Sequence, residues 1–421
     1  MALFSARHPL NVVSLMLSLG QRFVRKRIWS PASVAIGLLL LKQGGRKRTY
    51  RKMIDDMTRD YSSLLGWERK PSAASFACAR TKLSSEQCHE LLRTVVAKSD
   101  ALAPGRFQHP SGRRLIAIDS TRMVMPRTNS TVQRFPRPGY RGGERAHYPQ
   151  ALAVFAVDVM KRLPLDWVMM TKGHGEREGG LQLAKGFREG DVALMDRGFP
   201  ARALLRELLD QKLDVVVRMT TNDANGWPEV LEFLAGDRDE QHVQVRLDND
   251  RMVQTRLIRR KFRAGRPRKH QTAETMVVLT TLTDAQAFPR DEILRMYTAR
   301  WGVETMLREL KVDLDVEDFH SRSRTGLEQE IAMSLLWIAL TSALQHIAED
   351  GLPDGRRVVR THAAHAAERM LEDACAGKDP WRLYDRDIAW LKESSVKPRP
   401  GRSHPRYSKS PFGRFNNSMA K

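Results

Sequence analysis

The stretch "DVALMDRGFPARALLRELLDQKLDVVVRM", residues 191–219, contains two short apolar runs on either side of an amphipathic segment. The runs at 191–196 and 213–219 are apolar and β-branched, which is typical of buried strands. The segment 201–210 repeats its leucines at helical spacing. Strand, helix and strand in succession predict part of an α/β sheet.

The flanking sequence extends this pattern in both directions. Strand-like runs precede it at 115–119 ("LIAID"), 151–159 ("ALAVFAVDV") and 165–171 ("LDWVMMT"). Strands followed by strands, and then strands alternating with helices, predict a mixed α/β sheet. Residues 220–290 carry further strand-like runs without helix signals, and we interpret them as a β-rich insertion within the α/β domain.

Helical periodicity dominates the two ends of the chain. The patterns predict five regions: a helical N-terminal DNA-binding region at 1–105, the first part of the core at 106–219, the β-rich insertion at 220–290, the second part of the core at 291–345, and a C-terminal helical region with a basic disordered tail at 346–421.

The composition is that of a globular protein with a strong excess of positive charge. Lys and Arg number 71 against 49 Asp and Glu, which gives a net charge of +22. Such a charge indicates a polyanionic partner, with nucleic acid ahead of an acidic membrane surface. The apolar run at 331–344 is shorter than the roughly 20 residues needed to span a bilayer, so it predicts a buried helix. The start of the chain lacks the features of a secretion signal, and the three cysteines lack metal-finger spacing, so we expect a cytoplasmic protein.

Basic residues cluster in three places. The segment 46–52 and the short helix carrying Arg80 and Lys82 are compatible with a small helical DNA-binding unit, although short basic helices are also common on surfaces. The loop at 259–269 has seven basic residues in eleven, which favours phosphate binding. The alternative is a solvated loop without a ligand.

A polar stripe is predicted on the helix "YTARWGVETMLRELK", residues 297–311. Tyr297, Arg300, Glu304 and Lys311 fall within roughly 60° of one another on an ideal helix. An apolar seam beside them places the stripe at the edge of the core. The alternative is a solvated face with an Arg/Glu pair four residues apart.

Two further carboxylates each end a predicted strand. Asp119 closes "LIAID" and Asp196 closes "VALMD", and ligand sites gather at such strand ends in open α/β sheets. Either residue alone could simply cap a turn. Together with Glu304, they could hold two hard divalent cations such as Mg²⁺ or Mn²⁺ for phosphodiester chemistry. Arg300 and Lys311 would then meet DNA phosphates, and Tyr297 could bind or stack on DNA.

With these motifs, the sequence resembles the DDE transposases of bacterial insertion sequences, of the insertion-sequence-four type. Their signature Tyr-x2-Arg-x3-Glu-x6-Lys is matched at 297–311, and "DST" at 119–121, "DRGF" at 196–199 and "RW" at 300–301 add to the match. The resemblance covers residues 70–345.

The resemblance implies an RNase H-like core with a β-rich insertion and a cut-and-paste transposase activity. It implies that Asp119, Asp196 and Glu304 are the catalytic, metal-binding acids. We expect two Mg²⁺ ions, replaceable by Mn²⁺, and a homodimer acting on terminal inverted repeats and target DNA in association with the nucleoid, without a membrane.

Two alternatives remain open from the sequence: an RNase H-like nuclease or resolvase, and a DNA-binding protein that has lost catalysis. Gly302, inside the signature helix, indicates close backbone packing. Trp227 in "NGWPE" could hold a flipped base, but a turn is the simpler interpretation. Four polar residues are left outside the predicted site: His147, His174, Glu176 and Glu178.

Overall fold

The computed structural model describes residues 28–43, 48–139, 145–222, 224–262, 274–375 and 380–398. Most of the basic loop at 259–269 and of the basic tail at 397–421 lies outside the described residues, as do residues 1–27 of the region predicted to be helical. The expectations for those segments stay predictions.

Helices occupy both ends of the described chain and the connections between strands. The α-helices are α1 (Pro31–Leu41), α2 (Tyr50–Leu65), α3 (Ala73–Arg80), α4 (Ser85–Ala101), α5 (Asn129–Arg134), α6 (Glu176–Ala184), α7 (Arg202–Asp210), α8 (Pro228–Ala235), α9 (Arg290–Ala299), α10 (Trp301–Arg308), α11 (Arg324–Glu349), α12 (Arg360–Cys375) and α13 (Pro380–Glu393). A π-helical turn, Glu309–Asp313, follows α10.

The strands form one mixed sheet. They are β1 (Leu115–Val124), β2 (Gln150–Asp158), β3 (Leu163–Met170), β4 (Val192–Met195), β5 (Asp214–Arg218), β6 (Glu240–Arg246), β7 (Met252–Phe262) and β8 (Glu274–Thr280). Their order across the sheet is β3-β2-β1-β4-β5-β8-β7-β6. Strands β1, β4 and β5 are parallel, and β2 runs antiparallel to both β1 and β3. The first five strands have the arrangement of an RNase H-like core, so the predicted α/β fold is confirmed.

The predicted insertion extends this same sheet. Strand β8 pairs antiparallel with β5, and β7 and β6 follow at the edge. One expectation was wrong, because α8 lies between β5 and β6 where no helix was foreseen. It begins with Pro228, and proline at the first helical position suits helix initiation.

The two faces of the sheet pack against different helices because side chains alternate along each strand. On β1, Leu115 and Ala117 join the larger core, while Ile116 and Ile118 join the smaller one. Helices α4, α9, α10 and α11 contact the first face, and α6, α7 and α8 contact the second. The layers are therefore helix, sheet and helix.

Helix α11 is the centre of the larger core. It is the described helix that is long and apolar enough to cross a membrane, and 94% of its most apolar window is buried inside the protein. The predicted buried helix at 331–344 thus lies within a longer helix of 26 residues. The N-terminal helices α1 and α4 pack directly on it.

A buried charge cluster ties the N-terminal helices to α11. Glu330 lies 3.0 Å from the Lys42 ammonium and 3.1 Å from the Arg80 guanidinium. Burial alone would raise the pKa of Glu330, but a hydrogen bond from His320 and the charges of Lys42 and Arg80 hold it well below its usual range. Arg80 is only 4% exposed. It therefore holds the fold together and is not free to contact DNA, in contrast to the sequence interpretation.

Candidate active site

The sequence suggested that Asp119 ends a strand, but the structure places it within β1. Strand β1 continues to Val124 because it stays paired with β2, where Asp119 faces Phe155. Its parallel pairing with β4, however, ends at Ala117. Asp119 is therefore just beyond the last paired residue of the two central parallel strands.

Asp196 directly follows β4, as predicted. Its Oδ1 accepts a hydrogen bond from the Gly198 backbone N–H at 2.8 Å. The corresponding oxygen of Asp119 accepts the Ser120 N–H at the same distance of 2.8 Å. Each carboxylate is thus oriented by its own backbone and lies at the carboxyl edge of the parallel strands.

Arg300 links two of the predicted acids. Its Nη1 lies 3.3 Å from Asp119 Oδ2, and its Nη2 donates to Glu304 Oε1 at 2.6 Å. Arg300 itself is 7% exposed and stands at the junction between α9 and α10. Arg300 therefore contacts both Asp119, which is 181 residues away in the chain, and Glu304, which is four residues away.

The charges at this place are strongly coupled. Burial raises the pKa of Asp119 to about 6, and the negative charges of Asp196 and Glu304 add to the effect against the opposing influence of Ser120 and Arg300. Burial would lower the pKa of Arg300, but on balance its neighbours raise it. Asp196 and Glu304 thus lie close enough to Asp119 for their charges to influence its ionisation, although burial is the main cause of the raised pKa.

Tyr297 and Lys311 occupy different positions in the predicted stripe. Tyr297 is buried, with the Arg300 guanidinium 5.8 Å from its ring centroid, and burial raises its pKa. Lys311 donates to the Arg122 carbonyl at 2.5 Å and lies 3.4 Å from Glu317. Its described contacts are thus to the outer end of β1 and to Glu317, and not to Asp119, Asp196 or Glu304.

The displacement of Lys311 has a local cause. The helix widens into the π-helical turn, where the Leu314 N–H bonds the Glu309 carbonyl five residues earlier. A π turn holds more residues than an α turn, so the angles of an ideal α-helix no longer apply at Lys311. Gly302, by contrast, behaves as expected: a Cβ there would lie 3.1 Å from Val159 Cβ, so α10 packs closely on the end of β2.

Glu176 is near the site although the sequence reasoning left it out. Its Oε2 accepts a hydrogen bond from the Ser120 hydroxyl at 2.7 Å. A cavity of about 710 Å³ opens beside it, and its walls include Ser120, Glu176 and Gly198. The signal that could have found it is "EREGG", because two glycines inside a helix indicate close packing. His147 contacts Arg127, His174 lies in an exposed loop, and Trp227 stacks under Arg202 at the start of α8.

The acids fit a divalent cation by their chemistry. Carboxylate oxygens are the donors that Mg²⁺ and Mn²⁺ prefer, and the three acids are accompanied by the single guanidinium of Arg300 in the contacts described above. In the described part of the chain, no three His, Cys, Asp or Glu side chains are grouped closely enough to hold one ion between them. The Arg300 guanidinium supplies the positive charge between Asp119 and Glu304 in this arrangement.

An RNase H-like sheet with acids from β1, from the end of β4 and from a helix packed on the sheet is the arrangement that the sequence resemblance to DDE enzymes led us to expect. A family model described as the transposase DDE domain matches residues 110–340. The chain therefore belongs to the family of transposases with this DDE domain. Enzymes of this type generally use divalent metal ions.

The chain is similar to a curated relative in sequence and to a solved structure in fold. The transposase InsG for insertion sequence element IS4 of Escherichia coli (strain K12) is 26% identical over 267 residues, which cover 60% of this chain and 56% of the relative. The chain thus spans little more than half of that relative's length. A cryo-EM structure of the piggyBac transposase synaptic complex with hairpin DNA gives a TM-score of 0.45 at 13% identity, covering 94% of this chain and 87% of that one.

Proposed function

We propose that this protein is a cut-and-paste DNA transposase in which Asp119, Asp196 and Glu304 are the catalytic acids. The observation that carries the proposal is the convergence of these residues: Arg300 bridges Asp119 and Glu304, and the charge of Asp196 raises the pKa of Asp119. These residues come from three separated parts of the chain, and such convergence of charged groups is typical of functional sites.

The three acids would hold two Mg²⁺ ions, with Mn²⁺ as a substitute. Such ions, when bound, stabilise the charge that develops on the attacking and leaving oxygens of a phosphodiester. The acids must be ionised to serve as ligands, so below the pKa of Asp119, about 6, protons compete with the cation for this residue. Ser120 and Gly198 hold one oxygen of Asp119 and of Asp196, respectively. Oδ2 of Asp196 is then left for the cation, and Oδ2 of Asp119 becomes available when Arg300 moves away from it.

Arg300, Tyr297 and Lys311 would handle the DNA. The Nε of Arg300 is buried and has no hydrogen-bond partner among the described residues. An unpaired buried donor costs free energy, and a phosphate oxygen is a strong acceptor for a guanidinium. We infer that Arg300 shifts from the acids toward a DNA phosphate when substrate and cations bind, with Tyr297 beneath it. Lys311 would guide the strand at the outer end of β1.

The remaining parts of the proposal concern partners and location. The region 1–105 would bind the terminal inverted repeats, and the net charge of +22 supports binding to both these ends and target DNA. Two copies would hold the two ends in a homodimer, in the cytoplasm and associated with the nucleoid. The core would consist of residues 106–219 and 291–345. Its insertion would be 220–290, and the C-terminal part would be 346–421.

The test uses labelled duplexes that carry the inverted repeats flanking the gene, incubated with Mg²⁺ and the full chain. Glu304→Gln should lower strand cleavage and joining at least about a hundredfold, because one metal ligand loses its charge. Asp313→Asn is the matched control, since Asp313 is an exposed acid on the adjoining π-helical turn. It should cleave like the wild type.

Two other outcomes would change the conclusion. Equal cleavage by the wild type and Glu304→Gln would show that the site lies elsewhere. Specific binding of the repeats by the wild type without any cleavage, in Mg²⁺ or Mn²⁺, would favour a DNA-binding protein that has lost catalysis.

A further inference from the structure

A fourth carboxylate touches the residue next to Asp119. Glu176 begins α6, and its Oε2 accepts the hydrogen bond of the Ser120 hydroxyl. The backbone N–H of the same serine donates to Asp119 Oδ1. Glu176 and Asp119 are therefore joined through a single residue, although they lie 57 positions apart in the sequence.

Gly198 brings the same glutamate close to Asp196. The Gly198 N–H binds Asp196 Oδ1, and the Gly198 carbonyl accepts from Arg177 Nε at 3.0 Å. A Cβ built on Gly198 would overlap Glu176 Oε1 and would lie 3.2 Å from Asp196 Oδ1. Both carboxylates thus approach the same Cα, and Glu176 is close to the neighbours of both Asp119 and Asp196.

The placement of Glu176 depends on an unusually close contact between α6 and the sheet. A Cβ on Gly179 would lie 2.5 Å from Val154 Cγ2, and one on Gly180 would lie 3.3 Å from Phe199. Glycine inside a helix costs about 1 kcal/mol relative to alanine. The close packing that the two successive glycines allow offsets this cost, and it brings the first residue of the helix, Glu176, within reach of Ser120.

The Glu176 carboxylate is open to a ligand. Glu176 is half-buried and lines the cavity of about 710 Å³ next to Ser120 and Gly198. Glu178 lines the same cavity but turns back to its own helix, where Oε2 accepts the Gly175 N–H. The two glutamates therefore share a helix turn and a cavity, and Glu176 is the one that is directed toward the catalytic acids.

We propose that Glu176 is a fourth acid of the catalytic site. Among the described residues these side chains are not yet grouped closely enough to hold one ion, so Glu176 would close with Asp119 and Asp196 on a divalent cation when it binds. The inference rests on the proposed function of those two residues as metal ligands. The Ser120 hydroxyl holds Oε2, so Oε1, on the Gly198 side, is the oxygen available to the cation. Arg300 approaches Asp119 from the side of α10, so the side of Glu176 remains accessible in the DNA-free protein.

The test measures Mn²⁺ binding to the full chain without DNA, by electron paramagnetic resonance of the free ion. Glu176→Gln keeps the shape of the side chain and should weaken binding at least about tenfold. Glu178→Gln is the matched control and should bind Mn²⁺ like the wild type. Glu176→Asp keeps the charge but shortens the side chain, so its affinity should lie between those of the wild type and Glu176→Gln.

Circular dichroism verifies that each variant is folded. If Glu176→Gln does not fold, the comparison is made with Glu176→Asp. Wild-type affinity in a folded Glu176→Gln or Glu176→Asp, alongside weakened binding in Asp119→Asn, overturns this inference and leaves the proposed function standing. Wild-type affinity in Asp119→Asn and Asp196→Asn overturns the metal site of the proposed function, and this inference with it.

Discussion

Replacing Asp119 by asparagine should stabilise the DNA-free, metal-free protein at neutral pH while abolishing DNA cleavage. Burial, together with the charges of Asp196 and Glu304, raises the pKa of Asp119 from 3.8 to about 6. Asparagine resembles the protonated acid and can still accept the Ser120 N–H. The wild type therefore holds a charge that its folded state disfavours, and the variant does not.

The size of the effect follows from the shift in pKa. A shift of about 2 units at 1.36 kcal/mol per unit corresponds to roughly 3 kcal/mol. Because the folded pKa lies above the unfolded one, wild-type stability falls as the pH rises from about 4 through about 6. The gain of Asp119→Asn should thus approach 3 kcal/mol at about pH 7.5 and be roughly half as large at about pH 5.

The assay is urea unfolding followed by tryptophan fluorescence, with chelator present, at the two pH values. Asp166→Asn is the matched control: Asp166 is also a half-buried acid of the sheet, but His89 and Arg93 outweigh its burial and lower its pKa. Its replacement should lower the free energy of unfolding. Adding Mg²⁺ should then stabilise the wild type and not Asp119→Asn, since only the folded wild type binds the ion.

A free energy of unfolding for Asp119→Asn at or below that of the wild type near pH 7.5 would refute the reasoning. A gain of equal size at both pH values would also refute it, because the cause would then not be ionisation.

Three further predictions concern packing and the exposed surface. Glu330→Gln leaves Lys42 and Arg80 buried without their anion and should lower the free energy of unfolding by about 3–5 kcal/mol, measured by urea unfolding. Gly179→Val forces a side chain into Val154 and should cost about 1–3 kcal/mol in the same assay, whereas Gly186→Ala, with only ordinary contacts, should not. Trp301 is 60% exposed beside Arg300, and Trp301→Ala should weaken binding of single-stranded DNA by about 1–3 kcal/mol in fluorescence anisotropy without altering stability.

Local sequence patterns predicted the elements of the core well. The strands at 115–119, 151–159, 165–171, 191–196 and 213–219 all correspond to observed strands, because each is an apolar run bounded by turn residues. The continuation of β1 past Asp119 was not predicted, since it depends on pairing with β2 and not on the polar residues themselves. Strand bounds are thus partly a property of the partner strand.

The sequence predicted those parts of the candidate site that depend on the geometry of a single helix or strand. Arg300 and Glu304 are four residues apart, so ideal helix geometry already placed them together. Lys311 was misplaced because a π turn cannot be recognised from residue types. Glu176 was missed because its contact with Ser120 requires the exact distance between α6 and β1, which only the packed glycines set.

Long-range charge pairs were the least predictable feature. Arg80 looked like a DNA-binding residue by composition, yet its partner Glu330 is 250 residues away in the chain. Nothing in either local sequence identifies the other. A basic residue on a short helix thus indicates nucleic-acid binding only once its burial is known.

Helix α11 has a practical consequence for work on fragments of this protein. Its apolar surface is covered by helices from the beginning of the chain and from the segment after residue 349. A fragment restricted to the residues that match the transposase domain would lack α1 through α4. It would expose a helix that is apolar enough to cross a membrane. Such a fragment should aggregate or bind detergent. Nuclease assays on a minimal domain would then report on the missing cover and not on the chemistry of the acids.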